Sequence, residues 1–201
     1  MKRILTALVL GVAASTANAM LFDRGGGFIY DDVLDITWIQ NANANGFKTW
    51  NNQVDWAAGL SIVDTRSGAG GVTYNDWRLP NMDVNDDVTI VDCSLVDEVT
   101  CRDNEYGYLY YQYNVTVLSP GLFTNIQVHA YWPSTEFAPV PSAAWFFFFG
   151  NGSQGGGSSK ANGGFAWAVR SGDVSAVPVP AAVWLFGSAL GLLGWIRRKA
   201  A

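Results

Sequence analysis

Phe165-Ala166-Trp167-Ala168-Val169-Arg170 sets large apolar side chains at 165, 167 and 169 against Ala166, Ala168 and Arg170. Period-two alternation is the pattern of a strand that turns one face to a core, so the spacing predicts a strand here. Just before it, 12 of the 15 residues 150–164 are Gly, Ser or Asn, a composition that predicts a flexible loop. The seven glycines of that stretch do not make a phosphate cradle, because Lys160 is not followed by Ser or Thr and no helix-forming run comes after it. Residues 145–149, Trp-Phe-Phe-Phe-Phe, are apolar on both faces and read as a buried strand. Farther upstream Ile126, Val128, Ala130 and Trp132 alternate and predict a half-buried strand with His129 on its other face. His129 is the sole histidine, which removes histidine-based metal triads and paired-histidine chemistry.

In the first half, residues 28–30 and 36–39 are β-rich runs on either side of Asp31-Asp32-Val33-Leu34-Asp35, a polar-flanked connection that predicts a hairpin. Thr49 is placed to cap a helix carrying Trp50, Val54, Ala57 and Ala58 on one face, weakened at Gly59. This is the one helix expected in the body. Asn75-Asp76-Trp77-Arg78-Leu79-Pro80-Asn81 then gathers an aromatic, a cation and a proline in one short segment. Residues 83–105 hold eight acids against the single Arg102 and contain both cysteines, the signature of an exposed insertion held by its own crosslink. Asp83, Asn85 and Asp87 alternate as calcium ligands do, yet Val88 stands where an EF-hand turn needs glycine and Ser94 where it needs glutamate. The EF-hand match fails, which leaves a looser Ca2+ site against a plain acidic loop; no cofactor is otherwise expected.

Both ends read as addresses. Lys2 and Arg3 precede an apolar run over 4–14, and Ala17-Asn18-Ala19 supplies the small residues of a signal-peptidase site, so cleavage is expected before Met20. The alternative is a short buried N-terminal helix. Residues 181–196 are uncharged and are followed by Arg197-Arg198-Lys199, which predicts a membrane span whose basic end stays cytoplasmic, against the alternative of a buried core helix. The expected division is therefore a signal peptide over 1–19, a domain over 20–174 and a tail over 175–201.

Over its 201 residues the chain is 49% hydrophobic and 14% charged, with 9 Trp, 8 Tyr and 11 Phe, which excludes a disordered chain or a coiled coil. Residues 20–180 carry 17 acids and 7 bases, an excess that makes nucleic acid an unexpected partner. Cys93 and Cys101, eight positions apart in an exported chain, are expected to form a local disulfide, with free thiols or metal ligation as alternatives.

Tyr30, Ile36-Thr37-Trp38, Thr49-Trp50, Asp76-Trp77-Arg78-Leu79-Pro80, Tyr131-Trp132-Pro133-Ser134-Thr135-Glu136 and the 165–170 segment resemble the successive motifs of the bacterial Lcl C-terminal domain family. The residues that carry the resemblance most specifically are Trp38, Trp77, Arg78, Leu79, Pro80, Trp132, Ser134, Glu136, Trp167 and Arg170. It implies an α+β fold similar to C-type lectins and to the formylglycine-generating enzyme, with a small twisted antiparallel sheet, one main helix and long loops. Val177-Pro178-Val179-Pro180, the apolar span and the basic end resemble the PEP-CTERM sorting signal recognised by exosortases of exopolysaccharide-producing Gram-negative bacteria, with Val179 where the namesake motif has glutamate.

No nucleophile or acid/base arrangement of a known kind occurs, so the expected role is non-catalytic. The reading is an exported surface or matrix module, processed by an exosortase-type protease, held at the inner membrane before processing, and binding exopolysaccharide or another glycan through aromatics and loops. A purely structural envelope protein is the alternative, and an oxidase like the formylglycine-generating enzyme a more distant one. The tripeptides of calcium-dependent lectins are absent, and most tryptophans are expected in the core rather than on a ligand platform.

Overall fold

A computed structural model describes residues 20–84, 90 and 100–174. Its strands are β1 (Leu21–Gly25), β2 (Phe28–Asp31), β3 (Ile36–Ile39) and β4 (Lys48–Thr49), followed by helix α1 (Trp50–Ala58). Next come β5 (Ile62–Val63) and β6 (Thr73–Tyr74), and then helical turns at Thr100–Arg102, Glu105–Gly107 (α2) and Tyr108–Gln112. The chain closes with β7 (Ala130–Tyr131), β8 (Ala143–Phe148), β9 (Ser153–Ser159), β10 (Gly163–Gly164) and β11 (Val169–Ser171). The fold is α+β, with few helices and small antiparallel sheets in place of the single sheet expected: β1-β2-β3-β11, β7-β8-β9, and the pairs β10-β4 and β5-β6.

The expected hairpin forms, with Phe28 opposite Ile39 and Asp31 opposite Ile36. Its turn is closed by Asp31, whose Oδ1 accepts the N–H groups of Val33 and Leu34 at 3.1 Å each, a side-chain mimic of a backbone turn. β11 adds to β3 with Val169 opposite Trp38. Arg78 then continues that edge, exchanging backbone bonds of 2.8 and 2.9 Å with Val169. At the centre, the Trp167 ring lies 5.2 Å from Trp38 and 4.6 Å from Phe123, and its indole N–H donates to Ile39 O at 2.6 Å.

The glycine-rich stretch 150–164 is not a flexible loop: it contains β9, paired with β8, and β10, paired with β4. Glycine disfavours strands in isolation because it offers no side chain to pack. Here that absence is what the fold uses, because aromatic rings occupy the space. A Cβ on Gly156 would lie 2.2 Å from the Phe137 ring, one on Gly163 2.0 Å from Phe47, and one on Gly164 2.6 Å from the Trp132 indole nitrogen.

Two expected alternations fail for a shared reason. The strand expected over 126–132 shrinks to β7, with Val128 exposed and both Tyr131 and Trp132 fully buried. The strand expected over 165–170 is regular only from Val169, and Ala166, Trp167, Ala168 and Val169 are all buried. Both segments run between two apolar clusters: Tyr131, Trp167 and Val169 face the larger, while Trp132 and Ala166 face a smaller one containing Trp50, Ala57, Leu79 and Ala144. Over residues 131–132 and 166–169 neither face meets water, so period two carries no exposure there.

α1 begins and ends where expected, with Thr49 at its N-cap position and Gly59 at its end, although the Thr49 hydroxyl makes no capping bond. Its buried side is Trp50, Gln53 and Ala57, and Ala58 is exposed. Gln53 can be buried because its amide is fully engaged: Nε2 donates to Gly46 O and Gly164 O at 2.8 and 2.9 Å, and Oε1 accepts from Asn45 Nδ2 at 2.8 Å. The helical turns over 100–112 were not expected, so α1 is not the sole helix. Among the described residues no helix is long and apolar enough to cross a membrane; the proposed span over 181–196 and the signal segment over 1–19 lie outside them.

Because Trp132 is enclosed on all sides, it cannot yield to a methyl group at position 164. Gly164→Ala is therefore expected to cost about 1–3 kcal/mol, the usual scale of overpacking. The denaturation midpoint measures it, and an unchanged midpoint would contradict the ring-on-glycine packing.

Candidate functional site

The β1–β2 turn, the end of β3 and a flank of α1 surround a cleft of about 310 Å3. Gly26 and Gly27 make that turn with φ of +64° and +85°, a left-handed pair that only glycine adopts without strain. Phe28 and Ile39 are buried at the base, Leu60 and Ile62 are half-buried beside them, and Trp56 from α1 lines the cleft. Trp56 is the exception among the seven tryptophans of the described region, since the other six are all buried.

Polar groups stand at the edge. Gln40, Asn41 and Thr124 line the cleft on a crossing of two chain segments, where Ala42 N–H donates to Thr124 O and Thr124 N–H to Gln40 O, both at 2.9 Å. Gln40 Nε2 donates to Leu122 O at 2.9 Å, and Asn41 Oδ1 accepts from Asn43 N and Asn125 Nδ2 at 3.0 and 3.1 Å. Each amide thus spends one end on the scaffold, which fixes its orientation. Gln40 Oε1, an acceptor, and Asn41 Nδ2, a donor, are left without a bond among the described residues. A ring beside a fixed acceptor and donor can stack on an apolar face while exchanging hydrogen bonds with polar groups at its edge. None of the residues lining the cleft is an acid, a base or a cysteine, and its one hydroxyl belongs to Thr124.

A second, polar groove of about 450 Å3 is lined by Thr49, Asn51, Ser142, Ser159, Lys160 and Ala161. Lys160 is already engaged there, 2.7 Å from Glu136, 2.8 Å from Pro141 O and 4.4 Å from the centre of the Trp50 ring. Its charge holds the loops together.

The residues singled out in the sequence are brought together as framework rather than as a site. Trp38, Trp77, Leu79, Pro80, Trp132 and Trp167 are buried. Arg78 forms a two-pronged pair with Glu105 at 2.8 and 2.7 Å, and Glu105 also accepts the Asn81 N–H at 2.8 Å. Ser134 donates to Pro80 O through both its N–H and its hydroxyl, at 2.8 and 3.1 Å, docking the 131–136 segment on the 76–80 segment. Glu136 receives Lys160. Arg170 grips Asp76 through two bonds of 2.8 and 3.0 Å and lies 4.5 Å from the centre of the Tyr74 ring; its guanidinium holds the Asp76 carboxyl below the usual carboxylate range.

Met20 is exposed at the start of the described chain. Ala17, Ala19, Val177, Pro178, Val179, Pro180, Arg197, Arg198, Lys199 and Cys93 lie outside the described residues, whereas Cys101 is fully buried. Of the alternating residues that resemble calcium ligands, Asp83 is buried and Asn85 and Asp87 lie outside the described residues. Among the described residues no three His, Cys, Asp or Glu side chains gather to hold a metal ion. His129 is exposed, 4.9 Å from the Phe47 ring in an edge-to-face contact.

A family profile described as the Lcl C-terminal domain matches residues 27–170. The chain belongs to the Lcl C-terminal domain family. That membership is consistent with an exported or surface protein. No curated protein and no solved structure matches it. Of the residues that make this member's cleft, none had been singled out in the sequence. The one available signal was Trp56, a large aromatic set off the apolar face of α1 defined by Trp50, Val54 and Ala57.

The hairpin beneath the cleft carries a buried charge. Asp31 is fully buried, Tyr113 donates to its Oδ1 at 2.7 Å, and its Oδ2 has no partner. Burial, only partly offset by these bonds, raises its pKa above the usual value. Tyr113 is raised in turn by burial and by the bond to Asp31, and Tyr30 is pushed up to about 12, first by its bond to Asp35. A carboxyl with a raised folded-state pKa favours folding below its unfolded value and loses that contribution as pH rises through the folded value. Asp31→Asn retains an acceptor for the three donors and removes the buried charge. It is expected to raise the denaturation midpoint at pH 7, with the gain fading as pH falls toward 4; an equal effect at both pH values would contradict the assignment.

Proposed function

We propose that this Lcl-family domain is an exported, non-catalytic module that binds carbohydrate at the cell surface or in the extracellular matrix. The observation that carries the reading is the cleft in which Trp56, the one partly exposed tryptophan among the described residues, stands beside the unused amide ends of Gln40 and Asn41. A scaffold that buries its other described tryptophans and leaves this one half-exposed beside oriented amides, with no titratable group in the lining, suits holding a ligand rather than transforming it. The finer fold reading is a C-type lectin-like domain, supported by the family and by irregular loops on small sheets.

Delivery completes the proposal. A signal peptide ending at Ala19 exports the chain, Cys93 and Cys101 pair in the oxidising compartment, and the 181–196 span holds the precursor in the inner membrane with Arg197, Arg198 and Lys199 cytoplasmic. An exosortase-type protease then acts at Val177-Pro178-Val179-Pro180, where the two prolines keep the chain extended. In support stands the order of the parts in the sequence: prolines, uncharged span, cationic end.

Two measurements test the proposal. Protein recovered from the extracellular fraction of the native host is expected to have an intact mass lacking residues 1–19 and 181–201 and lighter by two hydrogens than the reduced chain. A mass that retains 181–201 would eliminate the sorting step. Pull-down with the host's own exopolysaccharide is expected to succeed and to weaken at least tenfold in Trp56→Ala, about the 1–3 kcal/mol that one stacked ring contributes in other ring-stacking sites. Undiminished capture by Trp56→Ala would remove the cleft as the site.

A further inference from the structure

The fate of the cations sets what kind of carbohydrate the cleft can take. Residues 20–180 contain only seven bases, Arg24, Lys48, Arg66, Arg78, Arg102, Lys160 and Arg170, beside 17 acids. Five are in ion pairs: Arg24 with Asp173, Arg66 with Asp64, Arg78 with Glu105, Lys160 with Glu136 and Arg170 with Asp76, at 2.5 to 2.8 Å. The other two donate to side-chain amide oxygens, Lys48 to Asn45 at 2.9 Å and Arg102 to Gln112 at 2.8 Å.

The cation packed against the cleft's glycine turn is Arg66, whose stem lies 3.0 Å from where Gly26 would carry a Cβ. Its guanidinium is turned away from any ligand. Nε and Nη2 engage both oxygens of Asp64 at 2.6 to 3.1 Å, and Nη1 donates to Arg24 O at 3.0 Å. Asp64 is itself buried, and the guanidinium holds its carboxyl below the usual range, so the pair is closed.

An anionic glycan would meet no cation in the cleft lining, on a domain whose net charge is negative. Carboxylates and sulfates would then lose hydration with only the neutral Asn41 Nδ2 donor to replace it. An uncharged pyranose loses little, because its apolar face covers Trp56 and its hydroxyls reach Gln40 Oε1 and Asn41 Nδ2. We propose that the cleft selects neutral polysaccharide, bound through uncharged pyranose rings, and discriminates against uronate and sulfated glycans. The proposal rests on the carbohydrate-binding reading and narrows it.

Affinity electrophoresis of the full-length chain through gels containing hydroxyethylcellulose, dextran, alginate or dextran sulfate separates the two claims. The expected result is retardation by at least one neutral polymer, none by alginate or dextran sulfate at low salt, and at least tenfold weaker retardation of Trp56→Ala, with Trp56→Phe recovering part of it. Gln40→Lys, which places a cation at the cleft edge, is expected to create retardation by alginate. Stronger retardation of the wild-type chain by alginate or dextran sulfate than by the neutral polymers would overturn the selectivity and leave carbohydrate binding standing. Retardation by none of the four would overturn both.

Discussion

Trp132 against Gly164 is the contact on which the arrangement of the functional face depends. The indole is fully buried and approaches the glycine so closely that a single added carbon would overlap it. That approach lets β10 pair with β4, places Gly164 O where Gln53 can donate to it, and lets the Trp132 indole N–H reach Lys48 O at 3.3 Å. Trp50 N–H reaches Lys160 O, and its indole N–H reaches Pro133 O. α1 is thereby fixed along its inner side by groups from two distant segments, 133 and 160–164, and Trp56, half-buried on its flank against both apolar clusters, has a fixed position in the cleft. Glycine is used here for the volume it leaves rather than for backbone freedom.

Arg78 has a comparable part in joining the remaining pieces. Its backbone extends the main sheet beyond β11, and its guanidinium ties the start of α2 to the 76–81 segment through Glu105. Glu105 is buried whereas the Arg78 side chain is 37% exposed, so removing Arg78 would leave a buried carboxylate without its partner. The consequence of the pair is register: the C-terminal end of the acidic insertion is anchored to the family's Trp-Arg-Leu-Pro motif. The same economy of charge runs through the domain, where cations are consumed by structure and the cleft is left uncharged.

The sequence made the local features legible. The hairpin over 28–39, the bounds of α1 at Thr49 and Gly59 and the family itself follow from short-range patterns that tertiary contacts did not override, whereas the strand expected to be buried on both faces over 145–149 runs as Ala143–Phe148 with Phe146 and Phe148 only half-buried. The glycine strand β9 was hidden because its stabilising partner lies outside its own window: Phe137 fills the space over Gly156. Likewise Tyr131-Trp132 and residues 166–169 defeat alternation because each segment separates two apolar clusters. The cleft was the least legible feature of all. Its residues come from a turn at 26–27, a strand end at 39–41, a helix at 56 and a crossing segment at 124, and only Trp56 was out of place for its local period.

Hydrogen exchange of the full-length chain, followed by mass spectrometry with and without a saturating neutral oligosaccharide of the retarding polymer, tests the central claim most directly. The account predicts slowed exchange in peptides covering 26–28, 39–44, 56–62 and 122–125, with the 153–164 strands unchanged. Protection confined to the groove around Lys160, or absent from the Trp56 peptide, would contradict it.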